Sequence, residues 1–485
     1  MDWSKYQLGV FDFAQNETGH GCVQAVAGSG KSTTGIEMIC RFNPMDQGLF
    51  STFTRVIIND AADRIQKKGL RNVKAQNYNS FGNGLIRSYM RPFPKLLTAY
   101  QGQKTDQILK YDIKPDNYYK VKNVIIRMVS LFKNLALTEI SEADRRYEEI
   151  LEYYDVDEPR VKGFKQIFLD TYKRNMERTD IMDFDDQKFF PVLFDWPAPQ
   201  FDFLVLDEFQ DSCPVEVKLM FRACQGGRII VFGDSNQAIY SFKGTTADSM
   251  NQFQVQMGAK KLPLSVCYRC SEEVVKEAKK IVPEIEWGPK AIKGFVGQVK
   301  LDWANKQVQQ GDFVLARVTE DLVKSVLNFI EDGRAAYVEG SEYANMLGYY
   351  IEKTNPDGND DIMVFKTAVE EHFNEVYPDL LAHNKDRQAQ ILESKKETIE
   401  VLMVGCSGVQ KLRDRIKTIF TDSGNGIRHL TIHKAKGLET KNVFVLRPDK
   451  IPHKRARSEH HQAEEMRLKY VAITRAMENL FYVQG

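Results

Sequence analysis

Short apolar runs bounded by turn residues alternate with longer segments whose apolar positions recur every three to four residues. Cys22–Val26, Leu49–Phe53, Val73–Ala75, Phe203–Leu206 and Arg228–Phe232 read as strands. Ile36–Ile39 and Ile57–Ile65 read as helical. Runs that are apolar throughout suit strands buried on both faces, and strands alternating with helices argue a parallel sheet with crossover helices. The rhythm returns at Phe313–Ala316, Ala335–Val338, His429–His433 and Val443–Leu446. Helices are expected at Glu272–Lys280 and Ala463–Met477. The closing stretch, Glu478–Gly485, faintly resembles a protease-site scar but reads better as a final strand through Leu480 and Val483.

Two segments break the alternation. In 92–179, Val121, Val124, Ile125, Met128 and Phe132 fall at helical spacing, as do Ile150, Leu151 and Tyr154. In 341–396 a turn-rich stretch, Asn355–Asp360, precedes helix-like spacing. A chain of 485 residues is too long for one core. The expected fold class is α/β, with two parallel-sheet core domains, each carrying a mainly helical insertion. The first core is assigned 1–91 and 180–259, with its insertion at 92–179. The second is assigned 260–340 and 397–485, with a shorter insertion at 341–396.

The chemistry concentrates at strand ends. The first strand runs into Ala25-Val-Ala-Gly-Ser-Gly-Lys-Ser-Thr33, followed by a helix. Such a glycine-rich loop turns main-chain N–H groups toward phosphates, here from Ala27, Gly28, Ser29, Gly30 and Thr33. Lys31 would reach the β- and γ-phosphates and the Ser32 hydroxyl would ligate Mg²⁺. The helix that starts there adds its positive N-terminal dipole. The usual first glycine of the motif is Ala25. Phe203–Leu206 ends in Asp207 and Glu208, placed to hold Mg²⁺ and to polarise an attacking water. Arg228–Phe232 leads to Gln237, where a γ-phosphate sensor would sit. Tyr240 and Phe242, beside Lys243, have the composition of a base-stacking platform or of plain packing. Gln7 precedes the loop, where an amide can read an adenine edge.

Composition narrows the class. With 42% hydrophobic and 27% charged residues the chain is of ordinary globular type. A formal charge of +1 means that any nucleic-acid surface is a local basic stripe. No apolar run reaches the ~18 residues of a membrane span, and the N-terminus lacks a signal peptide's layout. Seven scattered cysteines suit a reducing, cytoplasmic compartment. The Cys267 and Cys270 spacing has no second pair to complete a zinc site and reads as incidental.

Taken in order, Gln7, the P-loop, Phe53-Thr-Arg55, Asn77–Gly82, Asp207–Asp211, Gly233–Gly244, Tyr268-Arg269, Thr431–Glu439 and Tyr470–Ala476 resemble a superfamily 1 helicase of the UvrD/Rep/PcrA type. The resemblance spans Gln7 to Val483 but not the two insertions. It implies RecA-like core domains with ATP bound in the cleft between them. Gln7 would read adenine, Tyr268 would stack on it and Glu439 would bond the ribose. Lys31, Glu208 and Gln237, with Arg269 and Arg475 as arginine fingers, would carry hydrolysis, and Asp207 would share Mg²⁺ with Ser32. Phe53, Arg55, Asn77, Asn79, Ser80, Tyr240, Phe242 and His433 would contact DNA.

There are departures from the family pattern. Asn79 stands where the family has histidine, and Thr33 replaces an arginine after the loop. The second insertion is short, and no fused nuclease is expected. The expected function is an ATP-dependent helicase moving 3′ to 5′ on single-stranded DNA and unwinding 3′-tailed duplexes. The alternatives are a translocase that strips bound proteins and a nucleotide-controlled DNA-binding module. A chain without a membrane partner, monomeric or weakly self-associating, is expected in the cytoplasm of a bacterium or a virus-infected bacterial host. Accessory replication or repair proteins complete the expected partners.

Overall fold

The computed structural model describes residues 3–484 apart from 53–54, 113–114, 155, 157, 160, 240–243, 246–247, 383–385, 455 and 457–458. The chain divides into two compact units, Met1–Ser265 and Val266–Gly485.

The first unit is built on six parallel strands. Their order is Val73–Ala75, Gly48–Ser51, Phe203–Leu206, Arg228–Gly233, Gly21–Ala25 and Lys260–Leu264. Successive residues of a strand point to opposite faces, so one run of apolar residues feeds two cores. Val23, Phe50, Val205 and Ile230 pack with helices Lys5–Asn16, Lys31–Ile39 and Arg55–Lys67. Cys22, Leu49, Leu204 and Val231 join the other core, with helices Tyr78–Tyr89, Pro115–Asn134, Phe164–Glu177 and Pro214–Phe221. This is the α/β arrangement that the alternation of strands and helices implies.

The described residues of 92–179 hold five helices, Gln103–Asp112, Pro115–Asn134, Ile140–Arg145, Tyr147–Tyr153 and Phe164–Glu177. A two-residue parallel pairing of Lys95–Leu96 with Ile181–Met182 closes their base. Their aromatic residues Phe132, Tyr147, Phe168 and Tyr172 are fully buried, with Phe132 and Phe168 meeting edge to face at 4.7 Å. Buried ion pairs fix these helices to the segment that follows. Lys104 meets Asp186 at 2.9 Å, and Lys133 meets Asp186 at 2.8 Å and Asp183 at 3.1 Å. At Gly82 a side chain would lie 1.9 Å from the Gln187 carbonyl oxygen, so helix Tyr78–Tyr89 approaches its neighbour only because that position is glycine.

The second unit has its own six parallel strands. Their order is Phe295–Lys300, Ala476–Gln484, Thr440–Leu446, Phe313–Ala316, Ile427–Thr431 and Ala336–Val338. Helices Ser341–Thr354, Ile362–Ala382, Asp386–Met403 and Val409–Ile419 stand between the last two strands in sequence and share the core of one sheet face.

Three boundaries differ from the sequence expectation. The second insertion does not end at 396, which lies within helix Asp386–Met403, and its helices continue through Val409–Ile419. Lys260–Leu264 pairs with Gly21–Ala25 and closes the first sheet rather than opening the second domain. Only Leu262 and Leu264 of this edge strand are buried, and its Pro263 is tolerated because an edge leaves one side of the ladder unpaired. The last helix, Glu459–Ile473, stops short of Met477, which belongs to the final strand. The Thr474 hydroxyl donates to the Tyr470 carbonyl at 2.9 Å and Arg475 Nε to the Val471 carbonyl at 3.1 Å, satisfying helix-end acceptors.

Candidate active site

The loop after strand Gly21–Ala25 turns through Gly28 (φ 67°) and Gly30 (φ 74°), conformations that glycine adopts without strain. Ala27 is fully buried. Ser29 is 2% exposed, and its buried hydroxyl has no hydrogen-bond partner among the described residues. Helix Lys31–Ile39 begins immediately afterwards, its positive end facing the loop. The Thr33 hydroxyl accepts from Arg64 at 3.0 Å. Gln7 lies beside Gly30; its carboxamide accepts from the Ser4 amide at 3.0 Å and donates to the Thr34 hydroxyl at 3.1 Å.

Strand Phe203–Leu206, separated from the loop strand by Arg228–Gly233, delivers two carboxylates to the same end of the sheet. Ser32 Oγ donates to Asp207 Oδ2 at 2.5 Å, and Lys31 Nζ donates to Glu208 Oε2 at 3.1 Å. Glu208 adopts the left-handed conformation, φ 54°, which costs an L-residue about 1–2 kcal/mol and marks a position held by its surroundings. A buried relay runs on from it. Gln210 Nε2 donates to Glu208 Oε2 at 2.6 Å, and Gln210 Oε1 accepts from the Asp234 amide at 3.0 Å. Gln237 Nε2 donates to Asp234 Oδ2 at 2.7 Å.

Electrostatics at this corner are dominated by burial. Burial pulls the Lys31 ammonium down, but Glu208, Asp234 and Asp207 together carry it above its ordinary value. Burial and then Glu208 push Asp207 up, against the pull of Lys31 and Ser32. Burial likewise pushes Asp234 to about 6, against Lys31 and Gln237. One cation facing three carboxylates repels a bare polyphosphate. The donor set therefore fits phosphate accompanied by a hard divalent cation, which takes carboxylate and hydroxyl oxygens. Asp234 and Gln210 were missed by sequence reasoning as site residues. The signal available was their position within the two strand-end stretches already singled out.

The second unit places its proposed site residues close to one another. Tyr268 is 44% exposed, and the next residue, Arg269, is ion-paired with Glu439. Arg475 is 1% exposed, its guanidinium donating to the Val471 carbonyl, the Leu438 carbonyl at 3.0 Å and the Thr474 hydroxyl at 3.2 Å. Half-buried His433 lies in the short helix Ile432–Ala435.

Among the residues expected at DNA, Asn77 caps helix Tyr78–Tyr89, accepting from the Ser80 amide at 2.8 Å. Asn79 donates to the Phe184 carbonyl at 2.9 Å and to Gln187 at 3.1 Å. Both are engaged within the fold. Phe53, Tyr240 and Phe242 lie outside the described residues, as does the side chain of Arg55.

Comparison with known proteins sets this geometry in a family. The profile of the UvrD/REP helicase N-terminal domain matches residues 11–258, and that of the UvrD-like helicase C-terminal domain matches 369–484. F-box DNA helicase protein 1 of Schizosaccharomyces pombe is 25% identical over 60% of this chain and 34% of its own. The probable DNA helicase II homolog of Mycoplasma pneumoniae is 21% identical over 95% of this chain and 81% of its own. The ATP-dependent DNA helicase PcrA of Staphylococcus epidermidis is 22% identical over 64% of this chain and 60% of its own. The chain thus spans about a third of the first relative's length and more than half of the other two. The N-terminal profile alone covers 11–258, half of the 485 residues, and it contains the loop, both strand-end carboxylates and Gln237. The chain belongs to the UvrD/REP helicase family of superfamily 1.

Proposed function

We propose that this chain is an ATP-driven DNA helicase that moves 3′ to 5′ along a single strand and unwinds duplex ahead of it. The observation that carries the reading is the contact of Lys31 with Glu208 and of Ser32 with Asp207 at one end of the first sheet. A binding module needs a phosphate cradle; it has no use for a carboxylate aimed at the reacting water. In the proposed site the loop amides and Lys31 hold the phosphates of ATP. Ser32 and Asp207 would hold Mg²⁺, which would offset phosphate charge as a Lewis acid. Nucleotide entry draws Lys31 from Glu208 to phosphate, leaving that carboxylate steadied by Gln210 and available to take a proton from water. The Gln210–Asp234–Gln237 relay reports the phosphate end of the site to the Glu208 end. Arg269 and Arg475 are the proposed arginine fingers, which stabilise charge on the transferred phosphoryl group. Tyr268, Gln7 and Glu439 are proposed to hold the nucleoside.

DNA is the proposed track, with His433, Asn77, Asn79, Ser80, Phe53, Arg55, Tyr240 and Phe242 as the proposed contacts. Among the described residues no helix is long and apolar enough to cross a membrane. The test is ATP turnover with and without single-stranded DNA. Strong stimulation is expected; turnover indifferent to DNA overturns the reading. A protein-blocked single strand and a forked duplex, assayed side by side, then separate unwinding from the stripping of bound proteins.

A further inference from the structure

Beside the phosphate loop lies a cavity of about 230 Å³ that the proposed site leaves unused. Two helices and the N-terminal segment wall it. Thr33, Ile36 and Glu37, three and four residues apart, present one face of helix Lys31–Ile39. Arg64, Lys67 and Lys68 repeat that spacing at the end of helix Arg55–Lys67. Half-buried Trp3 closes the third side, its ring edge-on to Phe11 at 5.1 Å. Glu37 is occupied by Lys68 at 2.5 Å and by Arg41 at 2.7 Å, so its charge is answered before any ligand arrives. An indole and an isoleucine beside a rim of cations suit a flat, apolar-faced ring that is joined to an anion. The volume falls below the roughly 300–1,000 Å³ of whole small-molecule sites, so it admits one ring system rather than a complete nucleotide.

The position of the slot says which ring. Thr33 directly follows Ser32 of the phosphate loop, and the Gln7 amide, four residues on from Trp3, donates to Thr34 at 3.1 Å. Thr33 stands where the family has arginine, and a threonine offers no flat surface for stacking. Arg64 brings a guanidinium to the same place from the neighbouring helix, its Nη1 donating to Thr33 Oγ1 at 3.0 Å. Its other contact, Nε to Asp60 at 2.9 Å, joins two solvent-exposed groups one helical turn apart, and such pairs add little to stability.

We infer that Trp3 and Arg64 form the base clamp for ATP in this chain, the indole and the guanidinium plane holding adenine while Gln7 reads its edge. The identity of the base rests on the ATP reading above; the slot and its walls do not. A guanidinium is planar and weakly hydrated, which favours stacking on a ring, and lysine shares its charge but not its plane. Trp3 and Arg64 touch the base and not the phosphoryl group. Their loss is therefore felt in binding rather than in the chemical step.

The test is a fluorescence titration of the full chain with Mg²⁺–ATP and, separately, with Mg²⁺–tripolyphosphate, which fills a phosphate loop but carries no base. The chain has four tryptophans, and the part of the signal lost in Trp3→Phe is that of Trp3. Trp3 emission is expected to change with ATP and not with tripolyphosphate. Arg64→Ala and Trp3→Ala are expected to weaken ATP binding by roughly tenfold, and to raise KM by as much with kcat kept within about twofold. Arg64→Lys is expected to behave like Arg64→Ala. A Trp3 signal that tripolyphosphate reproduces, ATP affinity unchanged in Arg64→Ala, or full rescue by Arg64→Lys each overturn the clamp. A base-dependent Trp3 signal in a chain that hydrolyses no ATP sinks the ATPase reading and leaves the clamp standing. Turnover without that signal does the reverse.

Discussion

Lys31 is held between three carboxylates in a corner from which water is largely excluded, its side chain 10% exposed. Charge developing on phosphate there has little solvent to stabilise it. Replacing Lys31 with alanine is expected to slow hydrolysis by roughly a hundredfold or more, about 3 kcal/mol of transition-state stabilisation. Near-normal turnover in a folded variant contradicts the assignment. Glu208→Gln separates binding from chemistry: the amide still accepts from Lys31 and Gln210 but cannot take a proton. Nucleotide affinity is expected to persist while turnover is lost, as read by a fluorescent nucleotide and by phosphate release. Equal loss of both removes Glu208 from the role of base.

At this scale the sequence was legible where chemistry demands a residue type at a fixed spacing, as in the loop and in Asp207-Glu208. Gln210 and Asp234 were not legible as site residues, because their importance comes from a hydrogen bond across the ends of two strands. Nor does sequence show that Asn77 and Asn79 already have partners within the fold.

The helices of residues 92–179 are tied to the sheet by Lys133, nearly buried and shared between Asp183 and Asp186. Lys133→Met leaves the two carboxylates short of a cation, a loss of roughly 3–5 kcal/mol for a buried pair. Urea unfolding followed by far-ultraviolet circular dichroism measures it; an unchanged midpoint contradicts the importance of the pair.

In the second sheet, His429 accepts from the Ser325 hydroxyl at 3.0 Å and donates to the Ile427 carbonyl at 3.2 Å. Burial lowers its pKa from 6.5 to about 4, only partly offset by main-chain hydrogen bonds. Below pH 6.5 the unfolded chain takes up the proton first. The contribution is thus complete above that pH and is lost as pH falls toward 4, roughly 3 kcal/mol in all. Hydrogen-exchange protection factors in strands Phe313–Ala316 and Ile427–Thr431, corrected for the pH dependence of intrinsic exchange, are expected to fall over this window and to do so less in His429→Gln. An equal fall in both proteins contradicts the assignment.

Element type was legible here because buried parallel strands are uniformly apolar. Element ends were less so. Lys260–Leu264 carries a proline and two lysines, which say edge strand but not which sheet, and Thr474-Arg475 ends a helix through side-chain bonds that periodicity does not register.

For the whole molecule the central proposal is that hydrolysis at the first unit drives movement along DNA in one direction. The direction is argued from the resemblance of Thr431–Glu439 and Tyr470–Arg475 to the 3′-to-5′ group, in which Lys436 stands where the opposite group carries glutamine. Which unit grips the strand as nucleotide turns over is not written in residue types, and polarity was therefore the least legible property of the chain. The direct measurement is strand separation, with ATP and Mg²⁺, on partial duplexes bearing a single 3′ or a single 5′ tail. Unwinding is expected from the 3′ tail, little from the 5′ tail, and none from either with Lys31→Ala. Unwinding from the 5′ tail alone contradicts the direction, and unwinding that survives in Lys31→Ala contradicts the claim that this ATP site drives it.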